Sequence, residues 1–189
     1  MFTGEFYLQN VTEVASGFRF NADSTFEFFY MYGAIDRFGK GTFEQKGDSL
    51  ILHSAPKPDR DFVLQSARAT PEPTITIRIN DPNPQVLRHV LCQLETPDTV
   101  LQGESDAEGA IIFPKAPVKA FALLHQFWPD RPSVYPVDQP DLNYFELTID
   151  PHIVEVDFNG IILLYAEETL NGPHPLLDPS KIYRFRKGN

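Results

Sequence analysis

The stretch FEFFYMYGAIDRFGKGTF, Phe26 to Phe43, contains five Phe and two Tyr around a single Asp36-Arg37 pair. Successive side chains of a β-strand point to opposite faces, so residues two apart share a face. Aromatic side chains follow this period at the start of the stretch, at Phe26, Phe28, Tyr30 and Tyr32. The stretch therefore predicts a strand with one aromatic face, followed by a charged pair whose direction decides its meaning.

Turn-forming residues divide the surrounding sequence into further short strands. The run Asn21 to Ser24 separates two aromatic segments, and Lys46 to Asp48 joins the two halves of GKGTFEQKGDSLILH. The later segment DFVLQSA adds another strand. Residues 1–70 are accordingly predicted to form an antiparallel meander or small barrel of about six short strands.

The composition changes near residue 70. Residues 1–70 hold 10 of the 16 Phe but only 2 of the 17 Pro, whereas residues 71–189 hold the other 15 Pro. The segment RATPEPT, Arg68 to Thr74, contains a Pro-x-Pro link of the kind that separates modules. Two modules are therefore predicted, residues 1–70 and residues 71–189.

The second module also has the pattern of β structure. The isoleucines of TITIRI alternate, and short apolar runs separated by Pro and Gly continue to the end of the chain. About seven such runs predict an antiparallel β-sandwich. Asn159-Gly160, between two apolar runs, predicts a hairpin turn. The sequence as a whole predicts an all-β protein, a meander or barrel followed by a sandwich.

Charge and cysteine content exclude several classes of function. The formal net charge is −10 and the pI is about 4.9, which disfavours nucleic acid and anionic membrane surfaces as partners. No apolar run reaches the ~20 residues that a membrane-spanning helix needs. The first residues lack the features of a signal peptide, so a cytoplasmic location is expected. The single cysteine, Cys92, excludes an internal disulfide and is expected to be a buried, inert thiol.

The sequence carries none of the familiar catalytic or nucleotide-binding motifs, so we predict no catalytic residue, cofactor or metal. The five His are scattered, without the short spacings usual in zinc sites. His174, Asp178 and Ser180 could be written as a triad. Such neighbours are common in loops, however, and a triad is defined by geometry.

A first set of candidate ligand-binding residues surrounds the opening stretch: Glu13, Tyr30, Tyr32, Asp36 and Arg37. Asp36 and Arg37 are adjacent on a predicted strand, so they point to opposite faces and one of them could face inward. A charge inside a small barrel must be paired or hydrogen-bonded. Aromatic walls with a few polar groups are typical of a small-molecule pocket, but also of an ordinary β core.

A second candidate set lies in HQFWPDRPSVYPVD: His125, Trp128, Arg131 and Tyr135. Trp, Arg and Tyr together have the composition of a binding hot spot, and three Pro stiffen the segment. The alternative is a packed structural loop in which Arg131 pairs with Asp130 or Asp138.

Two stretches resemble known families. Phe18 to Leu52, with its aromatic strand, its turn and the later GKGTF and DSLIL segments, resembles small lipocalin-like modules of bacteria. Gly103, Ser105, Asp106 and Gly109 followed by AIIFP resemble the hairpin of transthyretin-like, carboxypeptidase regulatory-like sandwiches, which implies a structural role. The transthyretin-related hydrolases end in Tyr-Arg-Gly-Ser. This chain departs from that motif after Tyr183-Arg184, so hydrolase activity is not implied.

These observations favour a non-enzymatic binding or protein-interaction module for a small molecule or protein that the sequence leaves unidentified. Sandwich edges are natural pairing sites, so a homodimer is one of the predicted states. The alternative function is a hydrolase with a site in a groove between the modules, around His125 and Asp130.

Overall fold

The computed structural model of the chain describes residues 2–33 and 35–188. Within them lie two short 3-10 helices, Pro84–Val86 and Pro151–Val154, and sixteen strands. The strands are β1 (Gly4–Leu8), β2 (Val14–Phe20), β3 (Thr25–Tyr32), β4 (Ile35–Lys46), β5 (Ser49–Ser54), β6 (Phe62–Arg68), β7 (Thr74–Asn80), β8 (Val90–Glu95), β9 (Val100–Glu104), β10 (Ala110–Pro114), β11 (Ala120–His125), β12 (Trp128–Pro136), β13 (Tyr144–Ile149), β14 (Asn159–Ala166), β15 (Thr169–Gly172) and β16 (Tyr183–Lys187). The all-β prediction is confirmed.

The chain divides into two compact units whose bounds differ from the predicted modules 1–70 and 71–189. The first unit joins Met1–Lys57 to Val154–Asn189, and the second is Pro58–Ile153. The second unit is thus inserted into the sequence of the first, and it includes β6, which the prediction placed in the first module. The predicted break at Arg68–Thr74 lies between β6 and β7, within the second unit, because local composition does not reveal that strands distant in sequence pair with one another.

The first unit is a closed barrel of eight strands in the order β1-β16-β15-β14-β5-β4-β3-β2. Its inward side chains form one buried core that is mostly aromatic: Phe6, Phe18, Phe20, Phe26, Phe28, Phe43, Phe158 and Phe185. The ring centroids of Phe18 and Phe28 lie 4.9 Å apart, as do those of Phe26 and Phe158. An eight-stranded barrel is just wide enough to be filled by side chains, and these rings fill it.

Glycine in the GKG motif of β4 makes room for this packing. Gly39 is an inward position of β4, and a Cβ added there would lie 2.5 Å from Cε2 of Phe158. No real side chain could be accommodated at that distance unless Phe158 moved. The glycine that the sequence places between aromatic residues therefore admits a ring from a distant part of the chain.

The predicted hairpin turn at Asn159-Gly160 is wrong. Both residues belong to β14, which pairs with β5, and the register shifts between Asn159 and Ile161. Gly160 has a φ of +72°, so its conformational freedom serves a bulge rather than a two-residue turn. The run before it is not a strand but a 3-10 helix followed by a segment that enters the barrel core at Val156 and Phe158.

The second unit consists of two four-stranded sheets, β10-β7-β13-β6 and β12-β11-β8-β9. Phe121 and Phe145, from different sheets, meet with ring centroids 4.9 Å apart, so the buried faces form a sandwich core. The expected alternation of TITIRI is observed in β7. One pair, β7 with β13, is parallel, which corrects the prediction of a purely antiparallel sandwich. Cys92 is buried, and burial raises the pKa of its thiol to about 12, as expected for an inert cysteine.

The segment that resembles a transthyretin-like hairpin is a corner between the two sheets. β9 pairs with β8 and β10 pairs with β7, so the strands on either side of the turn belong to different sheets. Asp106 Oδ1 accepts hydrogen bonds from the backbone N–H groups of Glu108 and Ala110, at 3.0 and 2.8 Å. Gly109, which lies between these two residues, has a φ of +79°. The segment is thus a turn between two sheets and not a hairpin within one sheet.

Across the part of the chain that the structure describes, no helix has the length and apolar character needed to cross a bilayer.

Candidate functional site: the outer face of the barrel wall

The Asp36-Arg37 pair is split between the two faces of β4. Arg37 faces inward and is only 3% exposed, while Asp36 is exposed opposite Met31. The guanidinium donates from Nε to the carbonyl of Val154 and from Nη2 to that of Glu155, each at 3.2 Å. Arg37 therefore holds the segment that leads into β14, and backbone carbonyls are among its partners.

The other members of the first candidate set lie near Arg37 at the same end of the barrel wall. Tyr30 pairs with Arg37 in the β3–β4 register, and its ring lies 5.5 Å from that of His174. Burial raises the pKa of Tyr30. Tyr32 and Glu13 are exposed, and Glu13 has a φ of +64° in the turn before β2. This end combines core side chains with exposed ones.

His174 is a buried polar residue of the barrel that the binding-site prediction missed. Its Nδ1 accepts from the N–H of Leu176 at 3.1 Å, so the proton resides on Nε2, which donates to Ser16 Oγ at 3.0 Å. Ser16 in turn donates to the carbonyl of Phe29 at 2.8 Å. A general base must accept the proton of its serine, and here the direction is reversed. Burial also lowers the pKa of His174 to about 4, so the imidazole is neutral.

The suggested triad does not form. Asp178 Oδ1 accepts from the N–H and the Oγ–H of Ser180, at 3.0 and 2.6 Å, while both nitrogens of His174 are engaged elsewhere. Asp178 and Ser180 therefore form a small turn that is closed by these two hydrogen bonds. Within the described residues, no cluster of three or more His, Cys, Asp or Glu could hold a metal ion.

In the second unit, His125 is buried with both ring nitrogens bonded to the backbone. Nε2 lies 3.1 Å from the carbonyl of Val86, and Nδ1 accepts from the N–H of Phe127 at 3.2 Å. Its ring packs on Trp128, with centroids 4.3 Å apart, and burial lowers its pKa. These contacts are those of a structural histidine.

Arg131 and Tyr135 tie down the start of β6. Arg131 Nη2 lies 3.2 Å from Asp61 Oδ1 and also contacts the carbonyl of Pro58. The Tyr135 hydroxyl donates to the carbonyl of Phe62, and burial raises its pKa to about 12. These contacts give Arg131 and Tyr135 structural roles in the sandwich. They do not by themselves form a ligand site.

The outer face of the barrel wall carries a row of three aromatic residues and one glycine. Tyr7 of β1 pairs with Gly17 of β2, Gly17 with Phe29 of β3, and Phe29 with Phe38 of β4. Gly17 leaves a gap that the ring of Phe29 covers, since an added Cβ would lie 2.9 Å from Phe29 Cε1. Tyr7 and Phe38 are 41% and 52% exposed. We call these four residues the aromatic row.

A row of charges runs beside the aromatic row, in direct cross-strand register: Glu5, Arg19, Glu27 and Lys40. Arg19 lies 2.7 Å from Glu5 and 4.0 Å from Glu27. The hydroxyl of Tyr7 donates to Glu5 at 2.6 Å and so links the two rows. The hydrogen bond from Tyr7 and the contacts with Arg19 lower the pKa of Glu5. We call these four residues the charged row.

Six residues of the two rows, together with the buried Phe18 and Phe28, line a shallow groove of about 330 Å³, which we call the aromatic groove. Its lining residues are Glu5, Tyr7, Phe18, Arg19, Glu27, Phe28, Phe29 and Phe38. One wall is aromatic and the other is ion-paired, so the groove can bury an apolar group while satisfying polar groups at its edge. The alternation of residues in β3 could have indicated this site. Phe26 and Phe28 mark the inner face of the strand, and Glu27 and Phe29 mark the outer face.

No family model, curated protein or solved structure matches this chain. The lipocalin-like and transthyretin-like resemblances therefore stay predictions, and function must be inferred from the surface of the protein itself.

Proposed function

We propose that this protein is a non-enzymatic interaction module that binds a protein partner through the aromatic groove. The observation that carries the proposal is the exposed aromatic row beside an ion-paired row on the barrel wall. Contiguous apolar surface rimmed by polar residues is typical of interaction sites. Tyr and Arg, together with other aromatic residues, are enriched where binding energy concentrates.

A small molecule inside the barrel has weaker support, because the side chains of the barrel fill its interior with packed rings. The hydrolase alternative around His125 and Asp130 is also weakened, since both nitrogens of His125 are bonded to the backbone. The cytoplasmic location expected from the first residues stays a prediction.

The proposal can be tested by panning a displayed library of random peptides against the immobilised full-length protein. We expect enrichment of peptides that combine an aromatic residue with charged residues, matching the two walls of the groove. Binding of the enriched peptides should fall at least about tenfold in Phe38→Ser, because Phe38 is the most exposed ring of the aromatic row.

The matched control is Ile182→Ser, which removes an apolar side chain that is 74% exposed in the same unit but outside the groove. This variant should retain peptide binding. Equal binding by the wild type and Phe38→Ser, or no enrichment at all, would contradict the proposal.

A further inference from the structure

The charged row alternates in sign across four strands. Glu5 on β1 is negative, Arg19 on β2 positive, Glu27 on β3 negative and Lys40 on β4 positive, and each pairs in register with the next. All four side chains are accessible, with Arg19 57% and Glu27 61% exposed. When the order of these four alternating charges is reversed, the sign changes at every position. A patch of uniform charge does not have this property.

That property makes the row complementary to itself under a two-fold rotation. An axis that lies in the contact plane, parallel to the strands and midway between β2 and β3, places the reversed row of a second copy over the first. Arg19 then faces Glu27 of the second copy, and Glu5 faces its Lys40. Isologous contacts between identical chains require this kind of self-complementarity.

The aromatic row is compatible with the same axis. The rotation places Gly17, the one position of the row without a side chain, opposite Phe29 of the second copy. It also places the exposed ring of Tyr7 opposite that of Phe38. A bulky residue therefore meets a small one at the centre of the contact, and aromatic residues meet at its flanks.

The net charge of the chain limits how two copies can meet. Each chain carries a formal charge of −10, so two copies repel one another in most orientations. The charged row holds two Glu, one Arg and one Lys, so its own charges sum to zero, and Lys40 also pairs with Glu155 at 3.7 Å. Charge pattern sets specificity and orientation more than affinity, so the alternating, self-complementary row selects the pairing.

We infer that the aromatic groove is the contact surface of a homodimer in which a two-fold axis passes between β2 and β3. This inference rests on the proposed function and names a second copy of the chain as its partner. The barrel wall is convex, so β2 and β3 make the closest contact while β1 and β4 contribute through long side chains. The contact is small, and the dimer forms at micromolar or higher concentrations.

Charge reversal at the two central positions tests the inference, using the full-length protein in sedimentation velocity across the micromolar range. The wild type should show a sedimentation coefficient that rises with concentration. Arg19→Glu alone and Glu27→Arg alone should each stay monomeric, because like charges then face each other twice. An equimolar mixture of the two variants should recover the dimer, since both central contacts regain opposite charges.

The design separates local pairing from overall charge. Arg19→Glu changes the formal charge of the chain from −10 to −12, and Glu27→Arg changes it to −8. A general repulsion would make Glu27→Arg associate more strongly than the wild type, whereas the inferred contact makes it monomeric. Both side chains are exposed, and unchanged circular dichroism of each variant would show that the fold is retained.

A wild type that stays monomeric throughout would overturn the homodimer, as would a mixture that fails to recover it. If the enriched peptides still required Phe38 in either case, the groove would remain a binding site and only its proposed partner would be wrong. An association that Phe38→Ser leaves unchanged would place the dimer contact on another surface and also count against the inference.

Discussion

The two faces of the barrel wall use the same residue type for opposite purposes. Phe28 and Phe29 are neighbours in β3, yet the first is buried among core rings while the second covers Gly17 on the outer surface. Inside, each ring packs against several others and is almost fully buried, so Phe18 and Phe28 form only the floor of the aromatic groove. Outside, rings lie beside charges and contact solvent. The direction of the side chain, rather than aromatic content, separates residues that stabilise the barrel from residues that can recognise a partner.

Removing an inner ring should have the largest effect on stability. Phe158→Ala leaves a cavity among Phe18, Phe26 and Phe28, and we expect the free energy of unfolding to fall by about 3–5 kcal/mol. Denaturant unfolding should be followed by hydrogen exchange of barrel amides, because the single Trp lies in the second unit. A loss no larger than that of Phe38→Ala would contradict the assignment of inner and outer faces.

Low pH should reduce the free energy of unfolding through His174, which is buried in the barrel. His174 has a pKa of about 4 in the barrel, against about 6.5 for a solvent-exposed imidazole. Between these values the unfolded chain binds a proton that the folded chain does not, so the free energy of unfolding falls as pH drops from about 6.5 to about 4. The difference is at most about 3 kcal/mol, and this group adds no pH dependence above that window.

Unfolding measured at a series of pH values, for the wild type and for His174→Gln, would isolate this contribution. The variant should lose the part of the decline that lies between pH 6.5 and 4. An identical pH profile in the two proteins would show that His174 does not remain neutral in the barrel.

The split Asp36-Arg37 pair offers a comparison on adjacent residues. Arg37→Met removes the donors to the carbonyls of Val154 and Glu155, and we expect a loss of about 1–3 kcal/mol in the free energy of unfolding. Asp36→Asn, on the outer face, should change it by no more than about 0.5 kcal/mol. Equal effects of the two substitutions would argue against an inward role for Arg37.

The smallest effect on stability should come from the aromatic row. Phe38→Ser exposes no new cavity because the ring is already half exposed, so the free energy of unfolding should change by about 0.5 kcal/mol or less. The same substitution should weaken partner binding strongly. A large loss of stability would mean that Phe38 supports the core, and it would remove the contrast between the faces.

Sequence alternation predicted the strands of this wall and the common face of Phe26, Phe28, Tyr30 and Tyr32, because a period of two depends only on local geometry. The first three side chains are buried, whereas Tyr32, at the end of β3, is exposed. It could not predict closure of the barrel, since β1 pairs with β16 and β5 with β14 across long stretches of chain. It also missed the bulge at Gly160, which carries the sequence of a turn but lies within a strand.

The candidate site was harder to predict than the fold. Tyr7, Gly17, Phe29 and Phe38 come from four strands, and they meet only because the register of each pair places them in line. A single sequence reveals which face each residue occupies but not its cross-strand neighbour. Candidates chosen by composition, such as His125 and Trp128, proved to have their contacts within the packed sandwich.

The insertion of the second unit between β5 and β14 sets the order in which the protein can be completed during synthesis. Strands β1 to β5 leave the ribosome first, and β1 and β5 remain unpaired along one edge until residues 159–187 have been made. Both sheets of the second unit are synthesised in the interval, and a backbone bond from Asp150 N to Asp61 O joins its two ends. A nascent chain stalled near residue 153 would therefore expose two strand edges and much of the aromatic core, which makes the unfinished barrel a substrate for chaperones and a hazard for aggregation.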